Sequence, residues 1–115
     1  MIAGFSFDRR CKEWREQNGV DDAYMEKFET EDLESVISTI KDVQALMSYG
    51  WDFGVKYKNC EAYFSGTAQQ FNIDAERDGQ TYECVLFDLD DFENAKVGPY
   101  RLSDIVDKWT ITDFL

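Results

Sequence analysis

The 115-residue chain contains no histidine, so it lacks the side chain that most often carries protons or metals near neutral pH. Ser-His and Cys-His catalytic pairs are therefore excluded. Cysteine is scarce as well. Cys11, Cys60 and Cys84 make an odd count without a C-x-x-C, which argues against both a disulfide framework and a Cys/His zinc site. They read as small apolar residues of a reducing compartment. Bases are outnumbered, 12 against 24 acids, for a net charge of -12. Direct binding to DNA, RNA or an anionic membrane needs a basic footprint that this balance does not provide. No apolar run approaches membrane-spanning length, and the opening MIAGFSFDRR lacks the apolar core of an export signal. A cytoplasmic protein is expected. YFSGTAQ has one glycine, not the glycine frame of a phosphate loop, and no repeat or linker is visible.

What is present is a core-forming composition, 43% hydrophobic and 16% aromatic, in a length that suits one compact domain over residues 1–115. So small a domain leaves aromatic surface for a partner, with Tyr and Trp the usual anchors. The acidity is concentrated. Residues 21–34 carry seven acids and one base, and residues 74–93 carry eight acids and one base. These two blocks account for the whole excess.

Phe7, Cys11 and Trp14 fall at i, i+4, i+7 and predict a helix over 7–18, with Ser6 as its cap and Gly19 as its stop. Arg9, Arg10, Lys12 and Arg15 on its other side read as a solvated face or as counter-charge for the acidic blocks. Residues 20–30 fit a short helix, with Asp22, Glu26 and Glu29 on one stripe and Tyr24 and Phe28 nearer the other. They also fit a strand through 24–28. Thr30 is placed to cap a helix over 31–49, with Leu33, Val36, Ile37, Ile40, Val43 and Met47 as its core face and Gly50 as its end.

From Trp51 the period changes to 2, and Trp51, Phe53, Val55 and Tyr57 alternate with polar residues as in a strand. A two-residue turn at Lys58-Asn59 pairs Phe53 with Phe64 and Val55 with Ala62 on one face, and Lys56 with Glu61 on the other. Asp78-Gly79 suits a type I′ turn. Pairing outward from it sets Phe71, Ile73 and Ala75 opposite Leu86, Cys84 and Tyr82, and sets Asp74 directly across from Glu83. Like charges so placed are destabilising by up to about 1 kcal/mol, an arrangement that folding stability alone does not explain. Beyond it, DLDDFENAKVGPY predicts a helical turn broken at Gly98-Pro99. A second turn capped by Ser103 and a strand over 109–114 follow. The expected fold is α+β, with two to three N-terminal helices packed on a mostly antiparallel sheet of four to five strands.

One stretch carries a motif. VLFDLDDF, residues 85–92, resembles the first motif of haloacid-dehalogenase-type phosphotransferases. The resemblance would make Asp88 the nucleophile and Asp90 the general acid/base, with Mg²⁺ between them. Phe92 stands where that family has Thr or Val, and the strand comes late, in an antiparallel hairpin rather than at the head of a parallel α/β domain. An EF-hand departs too, because Phe92 replaces an oxygen ligand and Lys96 and Val97 fill later positions. Asp90 and Asp91 have a simpler use, capping free N–H groups at a strand-to-helix junction. No cofactor, no metal site and no catalysis are expected.

The remaining signal is the acidic surface. Carboxylates on a rigid frame are able to imitate a phosphate backbone and dock in a basic nucleic-acid groove. Asp21, Asp22, Glu26 and Glu29 of the first block are candidate contacts. So are Asp74, Glu76, Asp78 and Glu83, and Asp88, Asp90, Asp91 and Glu93, of the second. Tyr24 and Tyr82 are the candidate aromatic anchors in the block residues, with Phe28 and Phe92 interleaved. The expected function is inhibition of a basic, nucleic-acid-handling nuclease or defence complex. In size and acidity the chain is similar to phage- or plasmid-encoded anti-CRISPR and antirestriction proteins. An immunity protein against a toxin nuclease uses the same electrostatics. A structural assembly module, or a ligand-binding module using an open aromatic sheet face as its pocket, are the alternatives of another class. A carboxylate metal-dependent phosphotransferase is the last.

Overall fold

The computed structural model describes the backbone of residues 2–30 and 37–114, and the side chains of residues 9–29 and 37–114. Its α+β architecture is the expected one, although helical turns also follow the sheet strands rather than all preceding them. Helix α1 runs Ile2–Gln17, so Ser6 lies inside it rather than capping it. Gly19, at φ +69°, ends it, and the Val20 N–H donates back to the Arg15 carbonyl at 2.9 Å, a Schellman-type closure. Residues 20–30, ambiguous in sequence, form two short helical turns, α2 (Asp22–Met25) and α3 (Lys27–Thr30).

The expected helix over 31–49 is corrected. Thr30 is the last residue of α3, residues 31–36 lie outside the described residues, and Ile37 to Thr39 are not helical, so no single helix spans 31–49. Helix α4 spans Ile40–Ser48. Thr39 is its N-cap: its Oγ1 accepts from the Asp42 N–H at 3.1 Å while Asp42 Oδ2 accepts from the Thr39 N–H at 3.2 Å, a reciprocal box. Leu33 and Val36 lie outside the described residues. Val43, Ala45, Leu46 and Met47 are fully or almost fully buried, and Gly50 (φ +79°) closes the helix as read.

Four strands follow as consecutive antiparallel neighbours: β1 (Phe53–Tyr57), β2 (Cys60–Gly66), β3 (Phe71–Arg77) and β4 (Gln80–Leu86). Trp51 falls just before β1 rather than in it. Both expected hairpin registers are present, Phe53 to Phe64, Val55 to Ala62 and Lys56 to Glu61 in the first, Asp74 to Glu83 in the second. Asp78 (φ +53°) and Gly79 (φ +82°) have the paired positive angles of a type I′ turn. After a 3₁₀ turn over Leu89–Asn94, the chain makes a small hairpin of β5 (Lys96–Val97) and β6 (Tyr100–Arg101). The turn expected to be capped by Ser103 is α5 (Leu102–Ile105), with Arg101 at the cap position and Ser103 inside. Strand β7 (Thr110–Phe114) returns beside β1, which gives the sheet order β4-β3-β2-β1-β7.

The inner sheet face is filled. Phe53 and Phe64 stack with ring centroids 4.6 Å apart, and Trp109 meets both edge-on. Phe71 packs against Phe92 of the 3₁₀ turn. Two buried polar groups tie the layers: Gln44 Nε2 donates to the Leu89 carbonyl at 2.8 Å, and Trp109 Nε1 donates to the Ile37 carbonyl at 2.9 Å. The aromatic face that a ligand pocket would require is therefore occupied by the protein's own core.

Candidate acidic interface

A sheet with one face packed presents the alternate residues of each strand to the other side. On that outer face the registers align side chains in rows across the strands. One row runs Glu83, Asp74, Tyr63, Gly54, Asp113 from β4 to β7, and its neighbour runs Thr81, Glu76, Glu61, Lys56, Thr110. Glu61, Asp74, Glu76, Glu83 and Asp113 are all exposed. Among the described residues none of the five has an ion pair or a side-chain hydrogen bond, and Lys56 is the one base in these rows. The two rows border a shallow trough of about 660 Å³ across the strands.

Two like-charge pairs stand directly opposite each other, Asp74 with Glu83 and Glu61 with Glu76. They differ in spacing. Outward from a two-residue hairpin turn, hydrogen-bonded and non-hydrogen-bonded pairs alternate. This makes Asp74/Glu83 a non-hydrogen-bonded pair, the closer kind, with Cα atoms about 4.5 Å apart.

Tyr63, half-buried at the centre, was not among the aromatics singled out by sequence. Partial burial raises its hydroxyl pKa, and the carboxylates of Asp52 and Asp113 act in the same direction, so the phenol stays neutral. Gly54 beside it is not in the left-handed region, so its small size serves space rather than backbone conformation. A Cβ there would meet Thr112 Oγ1 at 3.0 Å and Tyr63 Cδ1 at 3.5 Å. Glu61 and Asp113 were missed as well. Their place depends on the β2–β3 register and on β7 pairing with β1, and neither is marked by a short turn motif.

The other expected contacts fall elsewhere. Asp78 sits at the β3–β4 turn and accepts from Asn59 Nδ2 at 2.9 Å. Asp88 pairs with Arg10 of α1 at 2.7 Å, the counter-charge role read for the basic helix face. Asp91 accepts from the Asp88 N–H at 3.1 Å, the capping use expected of it, while Asp90 and Glu93 are exposed. Asp21 accepts from the Tyr24 N–H at 2.9 Å as the cap of α2, and Asp22, Glu26 and Glu29 are exposed on the helical layer. Tyr24 packs against Phe28 and donates to Asp42 at 2.7 Å. Tyr82 points to the inner side, beside Gly98. Phe28 and Phe92 are buried core residues and do not serve as surface anchors.

The helical layer holds one buried charge. Asp42, 1% exposed, is paired with Lys27 and also receives Tyr24 Oη and the N–H groups of Ser38 and Thr39. Burial pushes its carboxyl up, but the bonds from Lys27, Tyr24 and Ser38 outweigh that and hold it below the usual aspartate range. Among the described residues no group of three or more acids and cysteines is arranged to hold a metal ion. No disulfide joins Cys11, Cys60 and Cys84. No described helix is long and apolar enough to cross a membrane. No protein family, curated protein or solved structure matches the chain.

Proposed function

We propose that the protein is a non-catalytic cytoplasmic inhibitor that docks its outer sheet face on the basic nucleic-acid groove of a nuclease or defence complex. The single observation that carries this reading is the unpartnered acidic face. Five carboxylates stand on a rigid sheet, in two cross-strand rows, and among the described residues no ion pair neutralises them, with Lys56 the one base in the rows. Strand geometry spaces them about 5 Å across the sheet and about 7 Å along it. That is a lattice of anions on the scale of a phosphate backbone, carried on a backbone that is already ordered before binding. The packed aromatic face favours protein binding over a small-ligand pocket.

The test is a panel of DNA-binding and cleavage assays on a restriction enzyme, an RNA-guided nuclease and a toxin nuclease, each with and without the protein. The expected result is displacement of DNA from at least one enzyme, weakening steeply between low and high salt. Replacing Asp74, Glu76 and Glu83 together by Lys should lose about 100-fold or more in that displacement. Retained displacement by the triple variant, with flat salt dependence, would overturn the reading. Displacement confined to the toxin nuclease would move it to an immunity protein.

A further inference from the structure

The two edges of the sheet are not alike. β7 is five residues long and its pairing with β1 is interrupted by a bulge at Gly54/Val55. Short length and bulges are the usual means of blunting an edge. β4 has neither. It pairs with β3 over seven residues in unbroken register and carries no Pro and no Lys. From the type I′ turn outward, Thr81, Glu83 and Val85 are the non-hydrogen-bonded positions, so their N–H and C=O groups point away from β3. Among the described residues no other backbone group bonds to them. Of the three large hydrophobics exposed among the described residues, two lie here: Val85 on β4 and Phe87, 57% exposed, just beyond it. On the inner side of the same edge, Tyr82, Cys84, Lys96 and Gly98 line a hollow of about 250 Å³.

We propose that β4 receives an antiparallel strand from the partner, whose outward residues read apolar, then basic, then polar against Val85, Glu83 and Thr81. The inference rests on the reading of a basic partner. An added strand would satisfy three N–H and three C=O groups, supply a cation to the Asp74/Glu83 pair and cover Val85. Its alternate residues would fill the hollow beside Tyr82. A second copy of the chain is the wrong occupant, because two surfaces of net charge -12 repel.

The probe is the capped peptide Thr-Val-Ile-Arg-Val-Thr-Thr, titrated into the isotopically labelled protein and followed by NMR. Its first valine, its arginine and its penultimate threonine would face Val85, Glu83 and Thr81. The expected result is selective shifts of the Thr81, Glu83 and Val85 amides. N-methylation at the arginine nitrogen, which would point at β4, should weaken binding about 10-fold. N-methylation at the valine after it, whose nitrogen would point away, should change binding less than about 2-fold. Val85→Pro removes an outward N–H without breaking the ladder to β3. It should weaken binding about 10-fold with thermal stability retained. Absence of shifts at these amides up to millimolar peptide, or equal binding of the two methylated peptides, would overturn the proposal. So would a dimer in sedimentation that Val85→Pro dissociates. Charge reversal at Asp74 and Glu83 separates this from the functional reading. If it abolishes binding while both methylated peptides bind alike, strand addition fails and the charge reading stands. If it has no effect while the arginine-methylated peptide fails, the strand stands and the charge reading falls.

Discussion

Asp42 and Asp74 are both aspartates inside regular elements, and they live in opposite electrostatic worlds. Asp42, in the first turn of α4, is buried and receives four donors, one of them the Lys27 ammonium. Asp74, mid-strand in β3, is exposed, accepts no side-chain bond and faces Glu83. In the helical layer two carboxylates are fastenings: Asp21 and Asp42 each close a local structure. The outer sheet face leaves them unused. Net charge alone does not separate these roles, since Asp42 lies outside both acidic blocks and Asp74 inside the second. Local pairing does, and it sets the face where charge costs stability apart from the layer where charge fastens the fold.

Asp42→Ala gives the largest expected effect. It leaves Lys27 and Tyr24 without their acceptor and opens the capping box, so a loss of about 3 kcal/mol is expected from denaturant unfolding. The pH dependence has a definite sign. The folded pKa of Asp42 lies below the ordinary aspartate value of 3.8. Its contribution is therefore complete above that value and is lost as pH falls from there through the folded pKa. Asp42→Asn should flatten the acid limb of the stability curve below about pH 4. An unchanged acid limb would mean that the pair with Lys27 does not fasten the helical layer.

Thr39→Ala sharpens the same side of the comparison with a smaller effect. Removing one half of the reciprocal box should cost about 1 kcal/mol, as cap removals do. Thr39→Ser should restore most of it. If both variants unfold at the wild-type midpoint, the start of α4 is set by packing of Leu46 and Met47 rather than by the cap.

The sequence was most informative where geometry is local. Asp78-Gly79 and the alternation around it specify a hairpin register to the residue, and with it the Asp74/Glu83 opposition. Lys58-Asn59, a weaker turn signal, specified its register equally well because Phe53 and Phe64 select the face. The start of α4 was misread because Thr30 and Thr39 are both good caps. Only Thr39 has an acid three residues on that returns to its N–H, and that Asp42 looked like one more surface charge. Two of the five acids of the outer face were hidden for a different reason. Glu61 reaches it through the β2–β3 hairpin, whose turn at Thr67–Gln70 carries no Asn-Gly or Asp-Gly signal, and Asp113 only through the long-range pairing of β7 with β1. Tyr63 stayed unremarked because its neighbour Gly54 matters by what it lacks.

The outer face itself offers an effect of opposite sign. Asp74→Asn with Glu83→Gln removes a like-charge pair at the closer spacing, and should raise stability by about 0.5 kcal/mol at low salt. The gain should shrink as salt rises, because the repulsion it relieves is screened at an exposed site. Glu61→Gln with Glu76→Gln should gain less, because that pair has the wider spacing and Lys56 stands across from Glu61. The same neutralised proteins should bind a basic partner more weakly than wild type. Stability and binding moving in opposite directions is the signature of charge held for a partner. Neutralisation that lowers stability would instead mean that these carboxylates are fastenings like Asp42, and the contrast between the two layers would collapse.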